Sequence, residues 1–268
     1  MNGQHPPAGE REAQSATVAL FVSDVHLQEA LAGTTQAFID FLDMHAPRAQ
    51  RLYLLGDLFE YWAGDDDLDT PYHLHIADTI RRVSEAGTAV FWIAGNRDFL
   101  VGQQFANAAG LTLLHDPHVE DIAGQRVVLV HGDAECTDDQ AYMAFRAQVR
   151  QPEWQAQFLG QPLAKRKAII EGMRSGSREA QRTKSYEIMD VNSGAIASLF
   201  ASTGATLMIH GHTHRPATHI HHVDGKSCVR HVLPDWDADG ETPRGGWLAM
   251  DAGGKVTRFN LDGSPAPA

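Results

Sequence analysis

The stretch "LMIHGHTHRP", residues 207–216, decides how the chain is read. An apolar run stops, and His210, His212 and His214 then fall on alternate residues, with Gly211 between the first two. One histidine pair can arise by chance, so the reading depends on how other apolar runs end. "VALFVSDVHL" (18–27) reaches Asp24-Val25-His26, and "RLYLLGDLFE" (51–60) reaches Gly56-Asp57. "AVFWIAGNRDF" (89–99) reaches Gly95-Asn96-Arg97-Asp98, and "RVVLVHGD" (126–133) reaches His131-Gly132-Asp133. Each run is short and rich in β-branched and aromatic residues, the pattern of a buried strand. Each delivers oxygen or imidazole donors where a strand becomes a loop.

Between the early runs lie helix-like segments, "TQAFIDFLDMHA" and "YHLHIADTIRRVSEAG". Strand, helix, strand at this spacing predicts an α/β layered fold. In such sheets the loops at the carboxyl ends of the strands converge on one crevice. The runs "CVRHVLPDW", "GWLAMDAGG" and "VTRFNL" have no helices between them and are expected to form a late antiparallel group. A lone Gly-Asp or Asp-x-His is ordinary turn chemistry. Five such endings in order are hard to produce by turn preference, and they point to a shared metal centre. Aspartate, histidine and asparagine together suit manganese, iron or zinc better than calcium or magnesium.

Composition removes several function classes. The chain has 268 residues, 43% of them hydrophobic, and a net charge of −12 that would repel a nucleic-acid backbone. No apolar run reaches the roughly 18 residues of a membrane span. The polar start, "MNGQHPPAGEREAQSA", carries no secretory h-region and reads as a tail over 1–16. Cys136 and Cys228 give no disulfide framework, and a reducing cytoplasm is expected. One region runs against the overall charge. From 140 to 185 there is no strand signal, and nine basic residues face three acidic ones, a net +6. It reads as a helical insertion, about 138–190, inside a domain spanning 17–262, with a short tail at 263–268.

The ordered set D-x-H, G-D, G-N-x-[HDE], H-G and G-H-T-H resembles the calcineurin-like metallophosphoesterases. That resemblance implies a layered sandwich of mixed β-sheets flanked by helices, with the insertion as a cap. It implies a two-metal site, with Asp24, His26 and His214 holding one ion, Asn96, His131 and His212 the other, and Asp57 bridging. His210 lies outside this set and reads as a strand residue. Two ions about 4 Å apart clamp a phosphoryl oxygen and activate water for in-line attack. The P-loop pattern G-x-x-x-x-G-K-[ST] is absent.

Many family members carry histidine where this chain has Arg97. Arginine cannot serve as a proton donor, but its fork can hold a phosphate. "GDLFEYWAGDDD", "HGDAECTDDQAYMAFR", "GSREAQRTKSYEIMDVN" and "VLPDW" are similar to the branch of the family that splits UDP-2,3-diacylglucosamine in lipid A synthesis. That likeness implies two manganese ions per chain, with magnesium, iron or zinc left open. It implies a lipid nucleotide-sugar substrate and a cap that receives its acyl chains. Asn96, Arg97 and His131 would act on the reacting phosphate. Asn96, Arg97, Asp139, Tyr142, Ser177, Gln181, Lys184, His212 and Trp62 would line the substrate. Gln181 stands where relatives carry asparagine, and "HGDAEC" where they carry "HGDTLC". The basic and aromatic cap surface also suits peripheral association with an anionic inner membrane, on its cytoplasmic face. Two alternatives keep the same ligands: another phosphoesterase, such as a nucleotide or cyclic phosphodiesterase, and a non-catalytic scaffold of the same fold.

Overall fold

The computed structural model describes residues 17–183 and 190–266, with the side chains of 175–183 outside the description. Along the chain run β1 (Thr17–Val22), α1 (Ala32–Met44), β2 (Arg51–Leu55), α2 (Pro71–Glu85), β3 (Ala89–Ile93), α3 (Gln103–Ala109) and β4 (Thr112–Leu114). Then come β5 (His118–Ile122), β6 (Gln125–Leu129), α4 (Gln140–Val149), α5 (Pro152–Leu159), α6 (Leu163–Thr183) and α7 (Ser193–Thr203). The chain closes with β7 (Leu207–His210), β8 (Ala217–Val223), β9 (Lys226–Val232), β10 (Gly246–Asp251) and β11 (Val256–Asn260). The last described residues turn back, since Ala266 N–H donates to Arg258 O at 2.9 Å. Among the described residues, no helix is long and apolar enough to cross a membrane.

Two mixed sheets form, ordered β11-β10-β1-β2-β3-β4 and β5-β6-β7-β9-β8. The early strands are apolar on both faces because both faces are covered. Alternate residues point opposite ways. Leu20, Val22, Leu52, Leu54, Val90 and Trp92 face the helical layer with Phe38, Ile80 and Phe105. Ala19, Phe21, Tyr53, Leu55 and Ile93 face Val127, Leu129, Leu207 and Ile209 of the second sheet. Val128, Val130 and Met208 face α7 through Ile196 and Phe200. The result is a helix–sheet–sheet–helix sandwich, as the motifs imply.

The late strands do not form one antiparallel group. β10 and β11 extend the first sheet, with β10 antiparallel to β1. β8 and β9 form a hairpin whose second strand runs parallel to β7 in the other sheet. Hydrophobic pattern marks a strand but does not name its partner, and here the partners lie far away in sequence.

The insertion carries α4, α5 and α6, and it is fastened to the body. Phe158 and Ile170 are buried in the first core, with Trp154, Leu163, Ile169 and Met173 packed against it. Much of the apolar surface expected to meet acyl chains is therefore spent on docking the cap. The basic residues behave alike. Arg166 is 1% exposed and bonds to Ala63 O and Asp66. Lys167 pairs with Asp67 at 2.5 Å. Arg146 donates to Asp133 at 2.8 Å, and Arg150 donates to Gly95 O at 2.8 Å. The positive cap sits on the acidic 65–67 turn and on the loops that end β3 and β6.

Candidate metal centre

The loops after β1, β2, β3, β6 and β7 meet at one end of the sandwich. Backbone bonds string them together. Asp24 N–H reaches Gly56 O at 3.1 Å, His26 N–H reaches Asp57 O at 3.0 Å, and Gly211 N–H reaches His131 O at 2.9 Å. Gly95 and Gly211 allow this approach. A Cβ on Gly95 would collide with the Asp57 carboxylate, and one on Gly211 with Asp24 and Ser23. Asp24, His26, Asp57, His212 and His214 all have positive φ, between 51° and 66°. Few non-glycine residues adopt this backbone, and those that do cluster at functional sites.

The donors grade from a buried floor to an open rim. Asp24, Asp57 and His131 are buried, while the His214 side chain is 40% exposed. Ligand atoms of Asp24, His26 and His214 lie within 4.8 Å of one another, and so do those of Asp24, Asp57 and His131. Asp24 is thus common to both groups, and Asp57 falls in the second. Asn96 Oδ1 is 2.9 Å from His131 Nε2, and the His212 ring centroid is 5.1 Å from that of His131. All seven expected ligands are brought together.

Their partners suit cations. Asp24 Oδ2 accepts from Ser23 Oγ at 2.5 Å and from His212 N–H at 2.9 Å, while Oδ1 is buried without a hydrogen bond. That free oxygen faces His214 Nε2 at 3.4 Å, and His214 Nε2 lies 3.3 Å from His26 Nε2. His131 Nδ1 is 2.9 Å from Leu55 O, which places the proton on Nδ1. Its Nε2 then meets the Asn96 oxygen lone pair to lone pair, unless a proton or an ion lies between them. Burial disfavours charge on His131, yet Asp57, Asp24 and Asp133 push it up to about 9. Burial opposes ionisation of Asp24 as well, but His214, His131 and His26 hold its carboxyl far below the usual range. Burial and His131 bring His212 down to about 4, so it stays neutral, as a metal-binding imidazole must. The orphaned oxygen and the mixed oxygen and nitrogen donors fit a divalent metal pair.

Other expected residues divide. Arg97 is half-buried, and its N–H donates to Asp57 Oδ1 at 2.7 Å. Tyr142 is beside the site, its ring 6.2 Å from that of His212, but its hydroxyl is committed to Asp133 at 2.5 Å. Asp139 caps α4 by accepting Tyr142 N–H at 3.1 Å. Trp62 is 1% exposed and donates to Asp65 at 3.0 Å, so it is a core residue with no surface to offer a substrate. The side chains of Ser177 and Gln181, and the whole of Lys184, lie outside the described residues. His210 is a buried strand residue, as expected, and its Nε2 is 2.9 Å from Arg230.

Sequence reasoning missed Asp98. It is fully buried and accepts N–H bonds from Gly95 and Leu58 at 2.8 Å and from Asp57 and Phe59 at 3.3 Å. It ties the Asp57 loop to the Asn96 loop. Only its place in the G-N-R-D motif could have singled it out.

Residues 18–216 match the model of the calcineurin-like phosphoesterase family. The chain belongs to that family. It is 51% identical to the UDP-2,3-diacylglucosamine hydrolase of Aromatoleum aromaticum, over 82% of this chain and 90% of the relative. It is 44% identical to the protein of the same name from Bordetella pertussis, over 87% and 91%. Among solved structures it is similar to Vps29 of Entamoeba histolytica complexed with zinc, at a TM-score of 0.45 and 15% identity, covering 92% and 95%. As a family member with a complete donor set, the chain is a metal-dependent hydrolase.

Proposed function

We propose that this chain cleaves the diphosphate of UDP-2,3-diacylglucosamine, releasing UMP and 2,3-diacylglucosamine 1-phosphate in lipid A synthesis. One observation carries the reading. Relatives 44–51% identical bear the name UDP-2,3-diacylglucosamine hydrolase, and a match of 221 residues leaves 47 of 268 uncovered, too few to leave out the whole insertion at 138–190. A generic phosphodiesterase would share the metal ligands but not that insertion.

Asp24, His26, Asp57, Asn96, His131, His212 and His214 would hold two divalent ions, with manganese the proposed pair. Such ions supply Lewis-acid polarisation of a phosphoryl group and a water activated at neutral pH. The chain's own residues do the rest. Leu55 O fixes the His131 tautomer and leaves Nε2 facing the site. Asn96, beside it, offers its side-chain oxygen inward and its amide N–H to a phosphate. Arg97 presents two parallel donors to phosphoryl oxygens as charge gathers on them. Asp139, Ser177 and Lys184 are proposed to meet the glucosamine phosphate.

Phe145 and Leu159 are 38% and 39% exposed on the basic cap. They support a role in acyl-chain capture and in peripheral binding to the cytoplasmic face of an anionic inner membrane. Sedimentation with phosphatidylglycerol vesicles at low and high salt checks the second point. The substrate reading is tested by mass spectrometry of products from UDP-2,3-diacylglucosamine, using metal-free protein with and without manganese. UMP and the sugar phosphate should appear only with metal. Turnover of a small aryl phosphodiester, with none of the lipid substrate, would favour another phosphoesterase.

A further inference from the structure

Glu60 belongs to none of the donor motifs, yet it touches the metal centre and the cap together. It follows β2 on the Asp57 loop, and its side chain is 17% exposed. One oxygen, Oε2, lies 3.0 Å from Nδ1 of His26, an ion-pair contact outside hydrogen-bond angles. The other nitrogen of that ring, Nε2, faces His214. The second oxygen of Glu60, Oε1, accepts from Arg174 at 2.6 Å. Arg174 sits on α6, is 14% exposed, and lies with its guanidinium 5.4 Å from the centre of the Tyr61 ring.

A carboxylate beside the outer nitrogen of a metal-binding imidazole keeps the proton there, turns the ring and makes the inner nitrogen a better ligand. Glu60 stands at that place for His26. Unlike an ordinary surface ion pair, which contributes little, this carboxylate is mostly shielded from water and has partners on two other segments of the chain. We infer that Glu60 is a positioning residue that orients His26 toward the metal centre and couples that ligand to the cap helix through Arg174. Loading of the metal and seating of α6 are then linked equilibria, so each favours the other. The inference rests on the metal centre proposed above.

Calorimetric titration of metal-free protein with manganese tests it. Wild type should take up two equivalents; if it takes up none, the metal-centre reading itself fails, and this inference falls with it. Glu60→Gln keeps the shape and removes the charge. It should bind manganese about 10- to 100-fold more weakly, the usual cost of losing such a partner. In a His26→Ala background the same substitution should cost nothing further. Arg174→Gln should weaken binding less, and should add nothing on top of Glu60→Gln. Wild-type affinity in Glu60→Gln overturns the positioning role. Equal losses with and without His26 do the same, and additive losses from Glu60 and Arg174 overturn the coupling. If Glu60→Gln does not fold, Arg174→Gln is compared with Arg174→Gln/His26→Ala. A loss confined to the His26 background supports the inference, and a loss in both refutes it.

Discussion

Asp98→Asn is the most informative single substitution, because it changes one atom at the joint between two ligand loops. Each carboxylate oxygen accepts two backbone N–H groups: Oδ1 from Gly95 and Asp57, Oδ2 from Leu58 and Phe59. An asparagine must place its NH2 against one of these pairs, so two buried donors then face a donor. Leaving a buried donor unsatisfied costs about 1–3 kcal/mol, so the change should cost about 2–6 kcal/mol. At roughly 2–4 °C per kcal/mol for a chain near this size, melting should fall by about 5–20 °C. Asp57 and Asn96 hang on the same bonds, so bound metal and turnover should fall too. Differential scanning calorimetry with metal analysis on the same samples measures both. An Asp98→Asn protein with wild-type melting and two metals would sink the argument. The outcome also separates Asp98 from Arg97, since both Asp98 oxygens are engaged by amides.

Arg97→Ala should lower turnover by on the order of 100-fold, the scale for losing an electrostatic stabiliser. Arg97→Lys should fall between, and both should keep their metals. Steady-state kinetics and metal analysis decide, and a destabilised Arg97→Ala with wild-type turnover would rule out the phosphate role. Glu135 is 8% exposed with Oε2 lacking a hydrogen bond, and burial with Asp116 and Asp133 nearby pushes its carboxyl up from 4.5 to about 7. A raised carboxyl favours the folded state fully below the unfolded value, and that favour is lost as pH rises through about 7. Glu135→Gln should therefore gain about 3 kcal/mol on wild type between pH 4.5 and 7. Melting curves across that range check it, and a gap that does not change with pH refutes it. Gly211→Ala should displace the Asp24 carboxylate and lower bound metal without unfolding the sheets, as metal content and circular dichroism would report.

What was legible in the sequence follows from which interactions are local. Central strands announce themselves because both faces are buried, and the ligands follow because each sits a residue or two beyond a strand end. β5, "HVEDI", and β8, "ATHIHHV", lie at sheet edges with much of their surface open, so their sequences carry no apolar run. The places of β9 and β10 were hidden for another reason: sheet membership is a contact between distant segments. Glu60 was equally hidden, because its partner Arg174 is 114 residues away. Trp62 was expected near the substrate from the likeness of "GDLFEYWAGDDD" to that branch of the family, and a motif does not say whether its aromatic ring fills a core or lines a cleft. The cap's charge was legible, but its destination was not. Arg146, Arg150, Arg166 and Lys167 turn inward to the body because Asp66, Asp67 and Asp133 are within reach.

The backbone of the site predicts how metal and stability are linked. Five of the seven donors, Asp24, His26, Asp57, His212 and His214, hold left-handed backbone that non-glycine residues rarely adopt. At about 1–3 kcal/mol each, that strain alone is of the order of a typical domain's whole stability. The bonds among the loops offset part of it, but they leave Asp24 Oδ1 bare and set imidazole nitrogens against one another. A ligand that binds only the folded state stabilises it by about 2.7 kcal/mol at 100 times its dissociation constant. Two such sites supply about 5 kcal/mol, or roughly 10–20 °C in melting temperature. Stripping the metals with a chelator should lower melting by that amount, and manganese should restore it in a concentration-dependent way. Asp57→Ala should melt at or below the chelated wild type and respond weakly to manganese, because it lacks a floor carboxylate and alanine sits in left-handed backbone no more easily than aspartate. A chelated wild type that melts with the loaded protein would show that the loops are held without metal, and that the strained backbone serves something else.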